Sequence, residues 1–516
     1  MEWTLLLSVL IPILLLIILH YRIQKATRPR LPPGPKGWPI FGNMFDLGNM
    51  PHRTLAGLKQ KYGPVLWIKI GSINTLVLQN SQTAAELFKN HDITFVERSI
   101  TEAMKVHDFH KGSLSLASYG NYWRIMKRIM TVEMLVNKKI NESISVRKKC
   151  VDDLISWIEK EAAESIYDNN SNGGKNSRGI KLSHFVFLAS FNMLGNLMLS
   201  KDLVDPQSQE GSEFFSAMIS LMEWAGHPNI VDVFPWLKWL DPQGLKRRAE
   251  RDMSKIIKIV SKFVKERLEE RRQQQESSSS SEIKKDYLEV LLKYNGNQND
   301  GQIKIADREL NIIIMEIFIA GSETTSGTIE WAMVELLSNP EAMLKVKEEM
   351  KQVIEHGRSF EERDIDNLKY LQAVIKETLR LHPPIPFLVP RMATKDTNFM
   401  GYEIRKDTQL FVNVWAIGRD PQVWEDPNSF KPERFLGSNV DFKGQHYELI
   451  PFGAGRRICA GIPLAQRMLH LILGSLLHKF DWGVDESLAY KLKDDNERMG
   501  IVVRKMEPLI AIPFPK

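Results

Sequence analysis

One stretch, Pro451 to Gly461, constrains the fold more than any other part of the sequence. It is Pro-Phe-Gly-Ala-Gly-Arg-Arg-Ile-Cys-Ala-Gly and holds one of the two cysteines of the chain among glycines, alanines and arginines. Small residues let the backbone pass close to a flat, bulky group. A thiolate there would be a soft ligand for iron or another thiophilic metal, and a nearby arginine would pair an anionic group. The alternative is a glycine-rich turn around a buried, inert cysteine.

The residues after this stretch favour a charged sulfur. Pro463 to Phe480 predicts an apolar helix and places Cys459 just before its N-terminus, a position that stabilises a thiolate. The other cysteine is Cys150, and two cysteines exclude a disulfide framework and suit a reducing compartment. A single disulfide between the two cysteines stays formally open.

Composition limits the class of protein without selecting a function. The chain has 516 residues, of which 43% are hydrophobic and 26% are charged, so it is globular and can bury a large core. Helical periodicity dominates and predicts one principal domain that is mainly α with small β-sheets. The formal net charge of +6 fits a basic face for an acidic partner or a membrane surface, and it is too diffuse to indicate nucleic-acid binding.

The N-terminus predicts a membrane anchor. Trp3 to Leu19 is uncharged and rich in leucine and isoleucine, and basic residues follow it but do not precede it. The run is slightly shorter than the ~20 residues of a typical bilayer span, and flanking residues can extend it. The positive-inside rule leaves the rest of the chain in the cytosol. We therefore predict an anchor over 1–21, a basic and proline-rich hinge over 22–35, and the functional domain over 36–516.

Asp307 to Leu337 is the longest apolar helical pattern, and its centre is unusual for a buried helix. Gly321 and Gly327 each cost ~1 kcal/mol relative to alanine, and Glu323 and Thr324 would place polar groups in the core. Hydroxyls beside a glycine can open the backbone hydrogen-bond ladder and admit a water or a ligand. The alternative is a kink without function.

Other segments bear on a binding site. Residues 96–121 show no clear periodicity, and a loop of this length is usually functional, so we predict a lid or pocket wall, with a solvated surface loop as the alternative. Strands are predicted around Phe387 to Pro390 and Gln409 to Val414. Glu377 and Arg380 lie three apart on one helix face and can pair, although such pairs are common on solvated helices.

Four stretches carry a more specific signal: Ala320-Gly321-Ser322-Glu323-Thr324-Thr325, Glu377-Thr378-Leu379-Arg380, Pro432-Glu433-Arg434-Phe435 and Phe452 to Gly461. Their order and spacing resemble the cytochrome P-450 family of haem-thiolate monooxygenases. With the anchor and the Pro-Pro-Gly-Pro hinge, the chain is similar to a microsomal member of plant type over its full length. The resemblance implies the cytochrome P-450 fold.

The resemblance also implies a bound haem b. Cys459 would be the axial thiolate of the iron, a ligand that pushes electron density onto the metal and favours O–O cleavage. Lys127 stands where the family usually has arginine, and lysine keeps the charge but loses the bidentate fork, so its contact with a haem propionate stays open. The other implied cofactor-binding residues are Phe452, which would pack beside the sulfur, Gly455 and Gly461, which permit the tight loop, and Arg457, Trp123 and Arg391, which would bind the propionates.

The implied reaction is R–H + O2 + NADPH + H+ giving R–OH + H2O + NADP+. Thr324 with Glu323 would be the catalytic pair that orders water and delivers protons during oxygen activation, which requires a positioned proton path more than a strong acid. Glu377, Arg380 and Arg434 would form a structural ion-pair triad without a chemical role.

The resemblance implies a redox partner as well. The sequence has no Gly-x-Gly-x-x-Gly after a strand and no flavin motif, so the electrons of NADPH would come through an NADPH–cytochrome P-450 reductase. Both proteins would sit on the endoplasmic reticulum membrane, with the catalytic domain facing the cytosol. A cationic docking face would be built from Arg124, Arg128, Arg456 and Arg467, for which plain solubilising charge is the alternative.

Alignment with the substrate-contacting segments of the family gives a mostly apolar pocket, which fits a lipophilic small molecule. The stretch from Ile458 to His470 looks most like the plant group of geraniol hydroxylases and iridoid oxidases and favours a monoterpenoid or related terpenoid. A flavonoid, phenylpropanoid or alkaloid is the runner-up. Two other classes stay open. One is an O2-independent haem-thiolate isomerase or dehydratase, although the proton-delivering pair argues against it. The other is a non-catalytic membrane haem protein. The pocket residues are Phe109, Leu114, Leu116, Ile319, Ala320, Ser322, Ile385, Phe387, Val389, Ile501 and Val502.

Overall fold

The computed structural model describes residues 30–171, 179–204, 209–276, 286–294, 305–485, 492 and 497–516. The predicted anchor over 1–21 and the first part of the predicted hinge lie outside these residues. The end of the hinge lies along the globular body: Trp67 N donates to Pro33 O at 2.9 Å, and Glu403 N donates to Arg30 O at 2.9 Å. A Cβ on Gly34 would lie 1.8 Å from the Trp67 carbonyl oxygen, so glycine is required there.

Helices form most of the described chain, as the periodicity predicts. The α-helices are α1 Pro51–Tyr62, α2 Ser81–Asn90, α3 Phe109–Gly112, α4 Asn121–Arg128, α5 Asn137–Glu142, α6 Ile144–Ser171, α7 Leu182–Leu199, α8 Gln209–Ala225, α9 Ile230–Val233, α10 Leu245–Glu276, α11 Tyr287–Lys293, α12 Asp307–Ser338, α13 Pro340–Val353, α14 Lys369–Leu381, α15 Val414–Ile417 and α16 Ile462–Lys479. Short 3-10 helices are Met44–Asp46, Glu102–Asp108, Pro235–Leu237, Glu362–Asn367, Pro432–Phe435 and Gly455–Arg457, and Ile129–Met134 is a π-helical turn after α4.

Helix α12 runs through the core and packs against α7, α10, α14 and α16. Gly321 has a packing reason: a Cβ there would lie 2.8 Å from Leu194 Cδ1 on α7, so glycine lets the two helices approach closely. Helices α7 and α12 are each long and apolar enough to cross a membrane, but 78% and 67% of their most apolar windows are buried inside the fold. Their apolar residues therefore serve the core.

The strands form small sheets beside the helical core. They are β1 Val65–Ile70, β2 Ile73–Leu78, β3 Glu97–Arg98, β4 Ile180–Lys181, β5 Arg391–Met392, β6 Thr397–Phe399, β7 Tyr402–Ile404, β8 Gln409–Val412, β9 Phe480–Gly483, β10 Glu497–Arg498, β11 Arg504–Lys505 and β12 Ile510–Pro515. The largest sheet has the order β1-β2-β8-β5-β3, in which β2 and β8 are parallel and the other pairs antiparallel. A second sheet has the order β4-β12-β9, and β6–β7 and β10–β11 are hairpins.

Three local predictions differ from the structure. Residues 96–121 contain β3, the 3-10 helix Glu102–Asp108 and α3, which are too short to give a clear period, and the irregular part follows α3. The segment Phe387 to Pro390 is not a strand, because Leu388 has a φ of +56°, outside the extended region. The centre of α12 continues as helix instead of opening.

Candidate active site

The loop that precedes α16 turns tightly around Cys459. Cys459 N donates to Phe452 O at 3.0 Å, and Gly461 N donates to Cys459 Sγ at 3.3 Å. Gly455 has a φ of +68°, which glycine adopts without strain. A Cβ on Gly455 would also lie 2.5 Å from Asp92 Oδ1. Glycine is thus required here both for the turn and for a close contact.

The Cys459 thiol is accessible although it lies deep in the fold. Burial of its surroundings raises the pKa of the thiol, and the amides of Gly461 and Ile462 and the ammonium of Lys127 offset part of that rise. Lys127 Nζ donates to Ile458 O at 2.6 Å, which holds its charge beside the loop. A thiol that coordinates a metal loses its proton outright, because the metal charge replaces it. The sulfur therefore suits a metal better than acid–base work.

Three buried arginines lie near this loop. Arg98, Arg391 and Arg457 are 7%, 5% and 7% exposed. Burial lowers the pKa of each, that of Arg457 to about 10, and repulsion from the other two lowers the pKa of Arg98 further. Arg391 pairs with Asp92 at 2.7 Å, whereas Nη1 of Arg457 is buried without a hydrogen-bond partner among the described residues. An anionic group such as a propionate would supply that partner.

The other residues predicted to bind propionates have protein partners in the structure. Trp123 Nε1 donates to Leu114 O at 2.8 Å, and the Arg457 guanidinium lies 4.5 Å from the centroid of the Trp123 ring. Arg391 Nη2 donates to Ala454 O at 3.1 Å, in addition to its ion pair. The structure therefore brings Trp123 and Arg391 to the edge of the site with their donors already engaged.

The centre of α12 forms a second accessible patch inside the fold. Ala320 is exposed and Thr324, one turn later, is partly exposed, whereas most of the helix on either side is buried. Thr324 Oγ1 donates to Ala320 O at 2.6 Å, and Thr325 Oγ1 donates to Gly321 O at 2.7 Å. Because the hydroxyl hydrogen of Thr324 is used within the helix, its oxygen is left as an acceptor.

Glu323, the other predicted catalytic residue, is 1% exposed and forms an ion pair with Arg504. Burial raises the pKa of Glu323 to about 7, and the charges of Arg504 and Arg498 oppose that rise. Both arginines lie on the hairpin β10–β11, where Arg498 also pairs with Glu223 of α8 at 2.9 Å. The carboxyl group thus changes protonation near neutral pH and is held by the hairpin that carries two predicted pocket residues.

The predicted pocket residues divide into an accessible and a buried set. The accessible or partly accessible ones are Leu114, Leu116, Ile319, Ala320, Ile385, Val389 and Ile501, and the buried ones are Phe109, Ser322, Phe387 and Val502. Phe387 stacks on Phe411 with ring centroids 4.7 Å apart and packs in the core beneath the five-stranded sheet. The left-handed conformation of Leu388 separates Phe387 from Val389, so the two do not follow a strand alternation.

Glu377, Arg380 and Arg434 meet, as the motifs predict. Arg380 Nε and Nη2 donate to the two oxygens of Glu377 at 2.6 and 2.7 Å, and Arg434 Nε donates to Glu377 Oε1 at 3.0 Å. Glu377 and Arg380 are 0% and 1% exposed. Arg380 Nη1 also donates to Pro427 O at 2.7 Å. The cluster therefore fastens the segment before the 3-10 helix Pro432–Phe435 to α14, which is a structural role.

Sequence reasoning missed Arg98, Asp92 and Glu316. The first two belong to no recognisable motif. Glu316 did leave a signal, since it is a lone carboxylate in the apolar run 312–319. Of the arginines predicted for docking, Arg124, Arg128 and Arg456 are exposed. Arg456 and Arg467 also pair with carboxylates. The contact of the four arginines with a reductase stays a prediction.

The residues present fit a haem. The accessible thiol, the unpartnered donor of Arg457 and the glycine loop suit a flat, anionic cofactor that carries a thiophilic metal. Among the residues that the structure describes, no three His, Cys, Asp or Glu side chains come together as another metal site. Cys459 is therefore the candidate protein ligand of the iron.

Comparison with known proteins identifies the family. The family model described as Cytochrome P450 matches residues 32–511. The chain is 52% identical over 514 residues to cytochrome P450 76A2 of Solanum melongena, covering 99% of both chains. It is 51% identical over 500 residues to iridoid oxidase of Catharanthus roseus, covering 97% of this chain and 95% of that one. It is 39% identical over 509 residues to geraniol 8-hydroxylase of the same plant, covering 98% and 99%.

A solved structure shows the same architecture. The chain superimposes on a zebrafish cytochrome P450 solved with progesterone, with a TM-score of 0.73 and 25% sequence identity. The match covers 90% of this chain and 99% of the zebrafish chain. The mainly helical fold with small sheets is thus that of the zebrafish protein.

Proposed function

Because this chain belongs to the cytochrome P450 family and is a haem-thiolate monooxygenase, we propose that it oxidises a monoterpenoid or iridoid-type terpenoid. O2 is the oxidant, and a reductase delivers the electrons. The accessible residues among those predicted to line the pocket are all uncharged and apolar, which supports a lipophilic substrate, the group to which these terpenoids belong. Relatives at 51% and 39% identity, an iridoid oxidase and a geraniol 8-hydroxylase, support the same class.

Each part of the site has a role in this proposal. Haem, when bound, supplies the redox chemistry that inserts one oxygen atom into the substrate. Cys459 would ligate its iron, and Nη1 of Arg457 would donate to a propionate. Thr324, whose oxygen is left as an acceptor, would hold a water molecule at the accessible centre of α12. Glu323, with a pKa of about 7, would exchange protons with that water.

A substrate panel tests the proposed class. Microsomes that contain this protein and a reductase are incubated with NADPH and with monoterpenoid, iridoid, flavonoid and alkaloid candidates, and products are detected by mass spectrometry. We expect a gain of one oxygen atom on at least one terpenoid, and none when NADPH is omitted. Oxidation of aromatic candidates alone would contradict the terpenoid class and leave the monooxygenase chemistry intact.

We further propose that the protein is a single-pass protein of the endoplasmic reticulum membrane whose catalytic domain faces the cytosol. The exposed apolar side chains near the end of the hinge support this placement. Phe41 of this segment meets Phe234 near α9, with ring centroids 5.7 Å apart, and aromatic side chains suit a membrane interface. The exposed residues of this apolar surface are Trp38, Ile40, Phe41, Phe45, Trp236, Trp239 and Leu240.

Deletion of residues 1–28 is expected to weaken membrane binding without abolishing it, because the apolar surface remains. The side chains of Trp236 and Trp239 are 68% and 81% exposed. Trp236→Ser and Trp239→Ser, introduced into the protein that lacks residues 1–28, should release it from liposomes in a flotation assay. Leu344→Ser, at an exposed apolar residue of α13, is the control and should change nothing. If the truncated protein is already fully soluble, this surface has no role in membrane binding.

A reporter fused to residues 1–35 should colocalise with the endoplasmic reticulum, and any other location would contradict the proposed compartment.

A further inference from the structure

The segment Ser113 to Ala117, called here the 113–117 loop, is held by buried charged and polar side chains from other parts of the fold. It follows α3 and carries Leu114 and Leu116, both partly accessible and both predicted to line the pocket. Irregular backbone inside a fold needs partners for its N–H and C=O groups. In this loop the partners come from elements far away in sequence.

Glu316 of α12 binds the N–H side of the loop. It is 9% exposed. Its Oε1 accepts from Ser113 Oγ at 2.7 Å and from Ser115 N at 2.8 Å, and its Oε2 accepts from Leu114 N at 2.6 Å. Both carboxylate oxygens are therefore used, and hydrogen bonds to a charged acceptor are stronger than neutral ones.

The carbonyl side of the loop faces buried donors. Trp123 Nε1 donates to Leu114 O at 2.8 Å, and Arg98 Nε donates to Ser115 O at 2.9 Å. Arg457 Nη2 donates to Ala117 O at 2.6 Å. The loop thus lies between one carboxylate, which accepts hydrogen bonds from its amides, and two guanidinium groups and an indole, which donate hydrogen bonds to its carbonyls. These hydrogen bonds on both sides of the loop stabilise this one conformation.

Arg98 connects the loop to a second wall of the pocket. Besides Ser115 O, it donates through Nη1 to Val389 O at 2.6 Å. Burial lowers the pKa of the Arg98 guanidinium, and the negative charges of Asp92 and Glu316 offset part of that decrease. A shift of the 113–117 loop would therefore disturb the segment that carries Ile385 and Val389.

We propose that Glu316 is a positioning residue that fixes the 113–117 loop and thereby determines which substrate orientation the pocket accepts. The inference rests on the proposed function only in assuming that this pocket binds the substrate. An apolar pocket has few polar anchors, so the shape of its wall sets which carbon faces the reacting centre. Small errors in placement are costly, because reactive geometry must hold to within a fraction of an ångström.

A glutamine at position 316 cannot reproduce these contacts. A carboxylate offers two acceptor oxygens, whereas a carboxamide offers one oxygen and two donors. In one orientation of the amide its nitrogen faces the N–H of Leu114. In the other orientation its nitrogen faces the N–H of Ser115 and the hydroxyl of Ser113. Glu316→Gln therefore preserves size and removes part of the anchorage. Glu309→Gln is the matched control, because Glu309 lies on the same helix and pairs with Arg308 at 2.6 Å instead.

Hydrogen exchange of the haem-loaded protein, followed by mass spectrometry, measures the anchorage without activity. Glu316→Gln should speed exchange in peptides that span 113–118 by about tenfold or more, since a lost charge-assisted hydrogen bond shifts local opening by that order. Glu309→Gln should leave these peptides unchanged. Unchanged exchange in Glu316→Gln, with normal haem content, would overturn the proposal. If that variant fails to fold, Ser113→Ala, which removes one of the three bonds, should give a smaller increase, and its absence would likewise overturn the proposal.

A second measurement tests the effect on specificity. Dissociation constants are measured from the haem spectrum for two probes, imidazole with a linear hydrocarbon chain and imidazole with a phenyl ring. Glu316→Gln should reduce the ratio of the two dissociation constants several-fold, because a less firmly held wall distinguishes the shapes of the two probes less well. An unchanged ratio would overturn the role of Glu316 in specificity. Both measurements are independent of the substrate panel, so a failure of the terpenoid proposal is seen separately.

Discussion

Cys459→Ala is expected to abolish the long-wavelength Soret band of the reduced carbon monoxide complex, the spectral feature from which the family takes its name. The band requires sulfur donation to the iron, and alanine has no donor. The fold should survive, because the loop keeps its backbone hydrogen bond from Cys459 N to Phe452 O and loses only the bond from Gly461 N to the sulfur. That loss is worth about 1 kcal/mol.

The other cysteine provides the control for this experiment. Cys150 is 1% exposed, and burial raises the pKa of its thiol to about 12, so it is an unreactive core residue. Cys150→Ala should keep the band at full height per haem. Far-ultraviolet circular dichroism should match the unmodified protein for both variants. Persistence of the band in Cys459→Ala would show that the iron takes its sulfur, or another ligand, from elsewhere.

Thr324→Ala is expected to uncouple NADPH consumption from product formation. The threonine oxygen is the acceptor that would hold a water at the accessible centre of α12, and alanine leaves that water without its anchor. Removal of a positioned proton-transfer group commonly costs about 10²-fold in rate. We therefore expect product per NADPH to fall at least several-fold while NADPH oxidation continues and peroxide accumulates.

Two neighbouring variants separate this role from a helix defect. Thr325→Ala removes the equivalent bond from Thr325 Oγ1 to Gly321 O on a buried face of the same helix, and its coupling should stay near that of the unmodified protein. Thr324→Ser restores an oxygen and should recover most of the coupling. Equal coupling in Thr324→Ala and the unmodified protein would remove Thr324 from proton delivery.

The sequence predicts the parts of this site that depend on local chemistry. The tight turn at Gly455 follows from residue type, as does the position of Cys459 before a helix. The long apolar period reveals α12, and its polar centre indicates an accessible patch. The triad of Glu377, Arg380 and Arg434 could be predicted because its members lie in two recognisable motifs, Glu377 and Arg380 in one and Arg434 in the other.

The contacts that sequence reasoning missed join residues far apart along the chain. Glu316 reaches a loop some 200 residues earlier, and Arg98 reaches Val389, which lies 291 residues later in the chain. Partners of this kind are set by tertiary packing and leave no periodic pattern. The N–H of Trp123 is likewise taken by Leu114 O, and Phe387 joins the sheet core because Leu388 turns the backbone left-handed. Neither result follows from residue type.

The ion pair between Arg504 and Glu323 has a consequence for how the pocket accommodates substrates of different size. Lifting the hairpin β10–β11 would take the charge of Arg504 away from the carboxyl group of Glu323, which is 1% exposed. Burial would then raise the pKa of Glu323 further, and the group would take up a proton. Movement of the hairpin, which carries Ile501 and Val502, is therefore linked to the protonation of Glu323.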